Sequence, residues 1–185
     1  MHPVLKSALE PLAEQIANVS KDEAQIAPLP GPGRWSVQQI MEHLMLTYCQ
    51  TIASVGKQLK SGKPPKHRRG VLQSFVRMQA IAFGHMPQGV PAIRAFRPEE
   101  FAAEDGPAIA GRFLRMAEQM DLCLVEARKK FGIQVCGEHP VYGALRVDEW
   151  RRYHAVHARH HLAQLRATVR YAKAQTAPSA AKTES

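Results

Sequence analysis

Apolar residues recur along this chain at steps of three and four, the spacing that lines one face of an α-helix. Leu5, Leu9, Leu12, Ile16 and Val19 form the first such stripe. It predicts a helix from about Pro3 to about Val19, with proline tolerated in the first turn. Pro28, Pro30, Gly31, Pro32 and Gly33 then break the chain. Ser36 followed by Gln39 matches a capping box, in which the hydroxyl takes one orphan amide and the glutamine reaches back to another. A second helix is expected to start there and to run to about Lys60 on Ile40, Leu44, Thr47, Thr51, Val55 and Leu59. Ser61, Gly62, Pro64 and Pro65 end it.

The stretch from about 61 to 106 shows less period. Val71 to Phe83 suggests a short helix, and Pro87, Pro91 and Pro98 make the remainder a loop packed over the rest. A third helix begins near Pro107 and uses Phe113, Met116, Met120, Cys123, Leu124 and Ala127 to about Phe131, where Gly132 is placed for a left-handed cap. A loop through Gly137, Pro140 and Gly143 precedes a fourth helix capped by Asp148, with Trp150, Tyr153, His157, His161, Leu165 and Thr168 facing inward. No repeat and no strand stands out. The reading is an all-α four-helix bundle over residues 1–175, with a polar disordered tail at 176–185. The long crossover between the second and third helices lets those two run parallel, which gives an up-down-down-up order.

Composition narrows the classes. A length of 185 residues suits one domain. No stretch reaches the ~18 apolar residues of a membrane span, and residues 2–20 are amphipathic with Lys6, Glu10 and Glu14, unlike a signal peptide. Three dispersed cysteines, Cys49, Cys123 and Cys136, make a poor disulfide framework and point to the cytoplasm. All three are expected as small buried core residues. The net charge of +9 raises the question of nucleic acid, but the basic residues are scattered, no binding motif is present and aromatics are only 6%; no nucleic-acid partner is expected.

Histidine is the unusual residue. There are nine, and His154, His157, His160 and His161 fall close together. On a helix His157 and His161 share a face, with their bases roughly 6 Å apart. Two imidazole nitrogens can then converge on one ion at about 2.0–2.1 Å. His160 points about 100° away from His161, and His154 lies about 10.5 Å back along the axis, where it could replace a ligand but not easily join both. His43, on the inward edge of the second helix, supplies a third ligand and leaves a fourth position open, as in catalytic sites. The plainer reading is a chance HxxxH with a hydrogen-bonded core histidine, or a surface chelator.

Two segments carry a family likeness. Residues 33–44, Gly-Arg-Trp-Ser-Val-Gln-Gln-Ile-Met-Glu-His-Leu, and the run from His139-Pro140-Val141-Tyr142-Gly143-Ala144-Leu145 through Glu149-Trp150 to His157-Ala158-Arg159-His160-His161-Leu162-Ala163-Gln164-Leu165 resemble the DinB-like superfamily. The likeness is to its poorly characterised branch with an HP-x-x-G-x-L…E-W…H-x-x-H-H-x-x-Q-L pattern. It implies a four-helix up-down-down-up bundle with a three-histidine site for zinc or nickel, here His43, His157 and His161. It also implies a transferase or isomerase that works with a small cellular thiol on an electrophilic substrate. The rivals are a metal-dependent hydrolase, for which Glu42 is a poorly aimed base, and a non-enzymatic metal-binding or homodimerisation module. Trp35 and Trp150 are expected to pack at helix ends, and the methionines to fill the core. Gln164 either orients a ligand or bonds to backbone, and His139 either supports a ligand or holds a turn.

Overall fold

The computed structural model describes residues 1–28, 34–66, 75–84, 86, 92–99 and 101–177. Helix α1 spans Pro3–Ile16, α2 Lys21–Gln25, α3 Val37–Ser61, α4 Gly106–Phe131 and α5 Val147–Thr176. The molecule is thus a helical bundle, and its four long helices fall where the apolar stripes predict them. Leu5, Leu9, Leu12 and Ile16 of α1 are fully buried, as are Ile40, Leu44 and Val55 of α3 and Phe113, Met120 and Leu124 of α4. The box at Ser36 and Gln39 forms in both directions, at 3.2 and 2.9 Å.

Several boundaries differ from the sequence expectation. The first helix stops at Ile16, because Ser20 and Glu23 build a second capping box that opens the short α2. A five-residue helix carries too little periodicity to be read beforehand. Gly132 ends α4 at φ 59° and ψ −122°, a positive-φ conformation outside the left-handed helical basin that was expected. The cap of α5 is Arg146, whose backbone N–H donates to Glu149 at 2.9 Å; Asp148 lies inside the first turn and pairs with Arg128. Helix α5 also runs one residue into the expected tail, where Thr176 donates to Glu23 at 3.2 Å. The remainder of that tail from 178, the glycine–proline run at 29–33 and Val71, Pro87 and Pro91 lie outside the described residues. Within the crossover, Met78–Ala82 forms a π-turn and Arg94–Phe96 a 3-10 turn.

The largest correction is a β-hairpin where a loop was expected. Strands β1 (Val135–His139) and β2 (Gly143–Arg146) pair antiparallel, with an irregularity between Val135 and Gly137. Two strands alone are marginal in water, and this pair is held by packing. The Ser54 hydroxyl of α3 donates to the Glu138 carbonyl at 3.0 Å and accepts its N–H at 2.8 Å. A Cβ on Gly137 would stand 2.9 Å from the Val55 side chain, so only glycine permits this approach. His139 closes the turn, its Nδ1 accepting the N–H groups of Val141 and Tyr142 at 3.1 and 3.2 Å.

Tie points between the helices fix their mutual placement. Arg112 of α4 donates to Glu42 of α3 at 3.0 Å, Cys49 meets Met116 at 3.7 Å, and Lys130 reaches the Leu59 carbonyl at 2.8 Å. Gly106 at the start of α4 donates to the carbonyl of Val19, just past the end of α1, at 2.8 Å; the N–H of His2, at the other end of α1, reaches Asp121 at 2.6 Å. No helix among the described residues is long and apolar enough to cross a membrane.

Candidate metal centre

Helices α3 and α5 face each other where three histidines meet. His43, His157 and His161 are only 5%, 7% and 7% exposed. The Nε2 atom of His157 lies 3.1 Å from that of His43 and 3.0 Å from that of His161. Each residue offers one ligand atom, and all three such atoms fall within 4.8 Å of one another. Nitrogens bonded to one tetrahedral ion at 2.0–2.1 Å stand about 3.3 Å apart, so the spacing suits a shared cation.

The other ring nitrogens decide what those Nε2 atoms carry. The Phe96 carbonyl lies 2.7 Å from His43 Nδ1, and a carbonyl can only accept, so Nδ1 holds the proton and Nε2 presents a bare lone pair. Gln164 Oε1, 2.8 Å from His161 Nδ1, does the same for that ring. Metal-binding imidazoles characteristically carry such a partner on the far nitrogen. His157 stands between two lone pairs, and its own Nδ1 is buried with no hydrogen-bond partner among the described residues. As a neutral ring it owns one proton, which cannot satisfy two lone pairs well. A cation at the meeting point satisfies all three, so this donor set can hold a metal ion.

Electrostatics agree. Burial is the main cause that lowers the pKa of all three rings, and their mutual repulsion adds to it for His157 and His161. His161 is brought to about 3. Near neutral pH the rings are therefore uncharged, the form that binds metals.

The structure separates the remaining candidates. His154 is fully buried away from the trio, its Nε2 2.9 Å from the Thr51 hydroxyl. His160 is half-buried with its ring perpendicular to that of His161 and is no member of the group. Gln164 bonds the His161 ring, and His139 holds the hairpin turn. Glu42 is bound to Arg112, and so is engaged in an ion pair. Trp150 packs fully buried in the first turn of α5, the helix-end role expected of it, whereas Trp35 lies against the site, its ring centroid 4.8 Å from that of His43 and 6.5 Å from that of His161. Cys136 is buried, with its thiol pushed up to about 12 chiefly by that burial, but Cys49 is exposed, contrary to its expected place in the core. It sits on the outer edge of the α3–α4 contact beside Met116. Met41, Met45 and Met120 do fill the core, while Met78 is exposed. The Phe96 carbonyl was invisible to sequence reasoning, because a backbone oxygen has no residue type to mark it. An open cleft of about 690 Å³ has Gln25, Ser36, Pro98 and Phe101 on its walls and does not include the histidines.

A helical bundle with a buried trio of imidazoles able to hold a metal ion is the class that fold and site define. The chain matches, over residues 7–168, the family described as "Protein of unknown function (DUF1569)", and belongs to it. No curated protein matches the chain, and no solved structure does.

Proposed function

We propose that this protein is a metal-dependent transferase of the DinB-like kind, binding one zinc or nickel ion through His43, His157 and His161 and using a small cellular thiol against an electrophilic substrate. The observation that carries the reading is the three-fold convergence of uncharged Nε2 atoms with no fourth His, Cys, Asp or Glu in the group among the described residues. Three protein ligands leave room for an exchangeable one. When bound, a divalent ion acidifies a thiol at that position and so supplies a nucleophile near neutral pH. The chain's own contribution is to keep the ligand nitrogens bare, through the Phe96 carbonyl and Gln164, and to cover one side of the site with the Trp35 ring. Hydrolysis is the weaker reading, since Glu42, the carboxylate next to a ligand, is already paired with Arg112. The three free cysteines accord with a reducing cytoplasm, where small thiols are abundant.

We also infer the up-down-down-up order. Partners advance together along α3 and α4, from Glu42–Arg112 through Cys49–Met116 to Leu59–Lys130. They run oppositely along α1 and α4, from His2–Asp121 to Val19–Gly106, and along α3 and α5, from His43–His157 to Thr51–His154.

The decisive experiment substitutes cobalt at the site and titrates glutathione, mycothiol and bacillithiol. A sulfur-to-cobalt charge-transfer band with one of them, lost in His43→Ala and retained in Cys49→Ala, supports the transferase. An ionisation near pH 7 with no thiol response would replace it with the hydrolase. Neither signal would leave a metal-binding protein without catalysis.

A further inference from the structure

Gln38 is fully buried in the first turn of α3. A buried amide is costly unless bonded, and a glutamine offers two donors and a two-lone-pair acceptor. Here Nε2 donates to the Ala102 carbonyl at 2.9 Å. Oε1 accepts the Glu104 N–H at 3.0 Å and the Gln25 side-chain amide at 2.6 Å. None of these partners belongs to α3. Gln38 therefore adds nothing to its own helix and fastens the stretch 101–105, just ahead of α4, onto it.

Arg112 provides a second fastening, donating both to Glu104 at 2.8 Å and to Glu42, the neighbour of His43. A few residues upstream on this same crossover strap is the Phe96 carbonyl that sets the proton on His43. His43 thus has its tautomer fixed by a segment that is itself held in place from the start of His43's own helix.

We propose that Gln38 is a positioning residue for the histidine centre, acting through the strap and the Phe96 carbonyl, so that metal occupancy and the order of the strap are linked. This deepens the metal-binding reading and rests on it. Linkage is reciprocal: a cation that needs His43 with its proton on Nδ1 favours the strap conformation that supplies the acceptor. Loosening the strap must equally weaken the cation.

The test uses the full chain, with zinc as the probe and a chromophoric chelator as competitor. Gln38→Met keeps the volume and removes all three hydrogen bonds. It should lower zinc affinity about 10–100-fold, the usual cost of losing support for a ligand, with stoichiometry unchanged. Gln39→Ala, on the same turn, breaks only the capping box and should leave affinity within about two-fold, which separates strap positioning from general loss of helix stability. In the wild type, zinc should slow hydrogen–deuterium exchange in peptides covering 92–105, and in His43→Phe it should not. Equal affinities for wild type and Gln38→Met, equal losses for Gln38→Met and Gln39→Ala, or zinc-independent exchange of the strap in a wild type that binds zinc would each overturn the proposal and leave the metal site standing. A wild type that takes up no zinc or cobalt overturns both.

Discussion

Two of the buried polar clusters in this bundle are built on opposite plans. One joins Asp121 of α4 to Arg151 of α5 at 2.8 Å and to the backbone N–H of His2 at 2.6 Å. Asp121 is 4% exposed and Arg151 9%, and the carboxylate charge is matched by the guanidinium. Both carboxylate oxygens are occupied. The other cluster has three imidazoles aimed at one another, two of them with their protons committed to acceptors on the far side. Among the described residues no fourth His, Cys, Asp or Glu joins it. A closed cluster ties α1, α4 and α5 together, whereas an open one of similar burial is able to hold a cation from outside.

The largest effect should separate the two clusters by metal content. His157→Ala removes the imidazole common to both short contacts and should reduce bound metal from about one ion per chain to background. Asp121→Ala should leave the ion in place; elemental analysis after gel filtration reads both. Equal metal in wild type and His157→Ala would dissolve the distinction.

Stability should respond the other way round. Asp121→Ala strands Arg151 in the interior and should cost about 3–5 kcal/mol in urea unfolding. Replacing both partners with apolar residues of similar volume should cost much less, because a closed pair contributes little beyond the charge it neutralises.

Acid should act on the buried histidines. Burial lowers the pKa of His154 and of His139 to about 3. Their unfolded forms titrate near 6.5. Between those values the unfolded chain binds protons that the folded chain refuses, so stability falls as pH drops below about 6.5 and levels off below about 3. In chelator-treated protein each such ring should contribute a slope of about 1.4 kcal/mol per pH unit in that window. Urea titrations at pH 7.5, 6 and 5 would measure it, and a flat profile would mean that these rings are protonated in the fold. The smallest effect belongs to Cys49, which lies exposed and outside both clusters. Cys49→Ser should shift stability by no more than about 0.5 kcal/mol and leave metal content unchanged.

Much of the molecule was legible before any coordinates. The four long helices follow from stripes such as Leu5–Leu9–Leu12–Ile16 and from the Ser36–Gln39 box, because period and capping depend on residues within one turn. The same holds for His157 and His161, which share a face by helical geometry alone. His43 offers itself as their partner from its place on the inward edge of the second helix, the resemblance at residues 33–44 and 139–165 implies the same residue, and the structure brings its ring to 3.1 Å from His157. Less was legible in short elements: α2 has the same kind of box as α3 but too few residues to show a stripe. The hairpin at 135–146 alternates weakly and owes its place to Ser54 and Val55 of another helix.

What the sequence by itself determined, then, is what neighbours three or four positions apart set strongly: the four long helices, the Ser36–Gln39 cap and the facing pair of histidines, though not every helix end or cap. Tertiary structure alone decided that the Phe96 carbonyl would orient His43 from 53 positions away, and that His154 would turn to Thr51 and stay out of the cluster. It also placed Asp121 beside Arg151 and brought Gln38 to bind a strap more than 60 residues distant. Those choices rest on which helix faces pack together and on backbone groups that every residue carries, and neither leaves a mark on the identity of nearby residues.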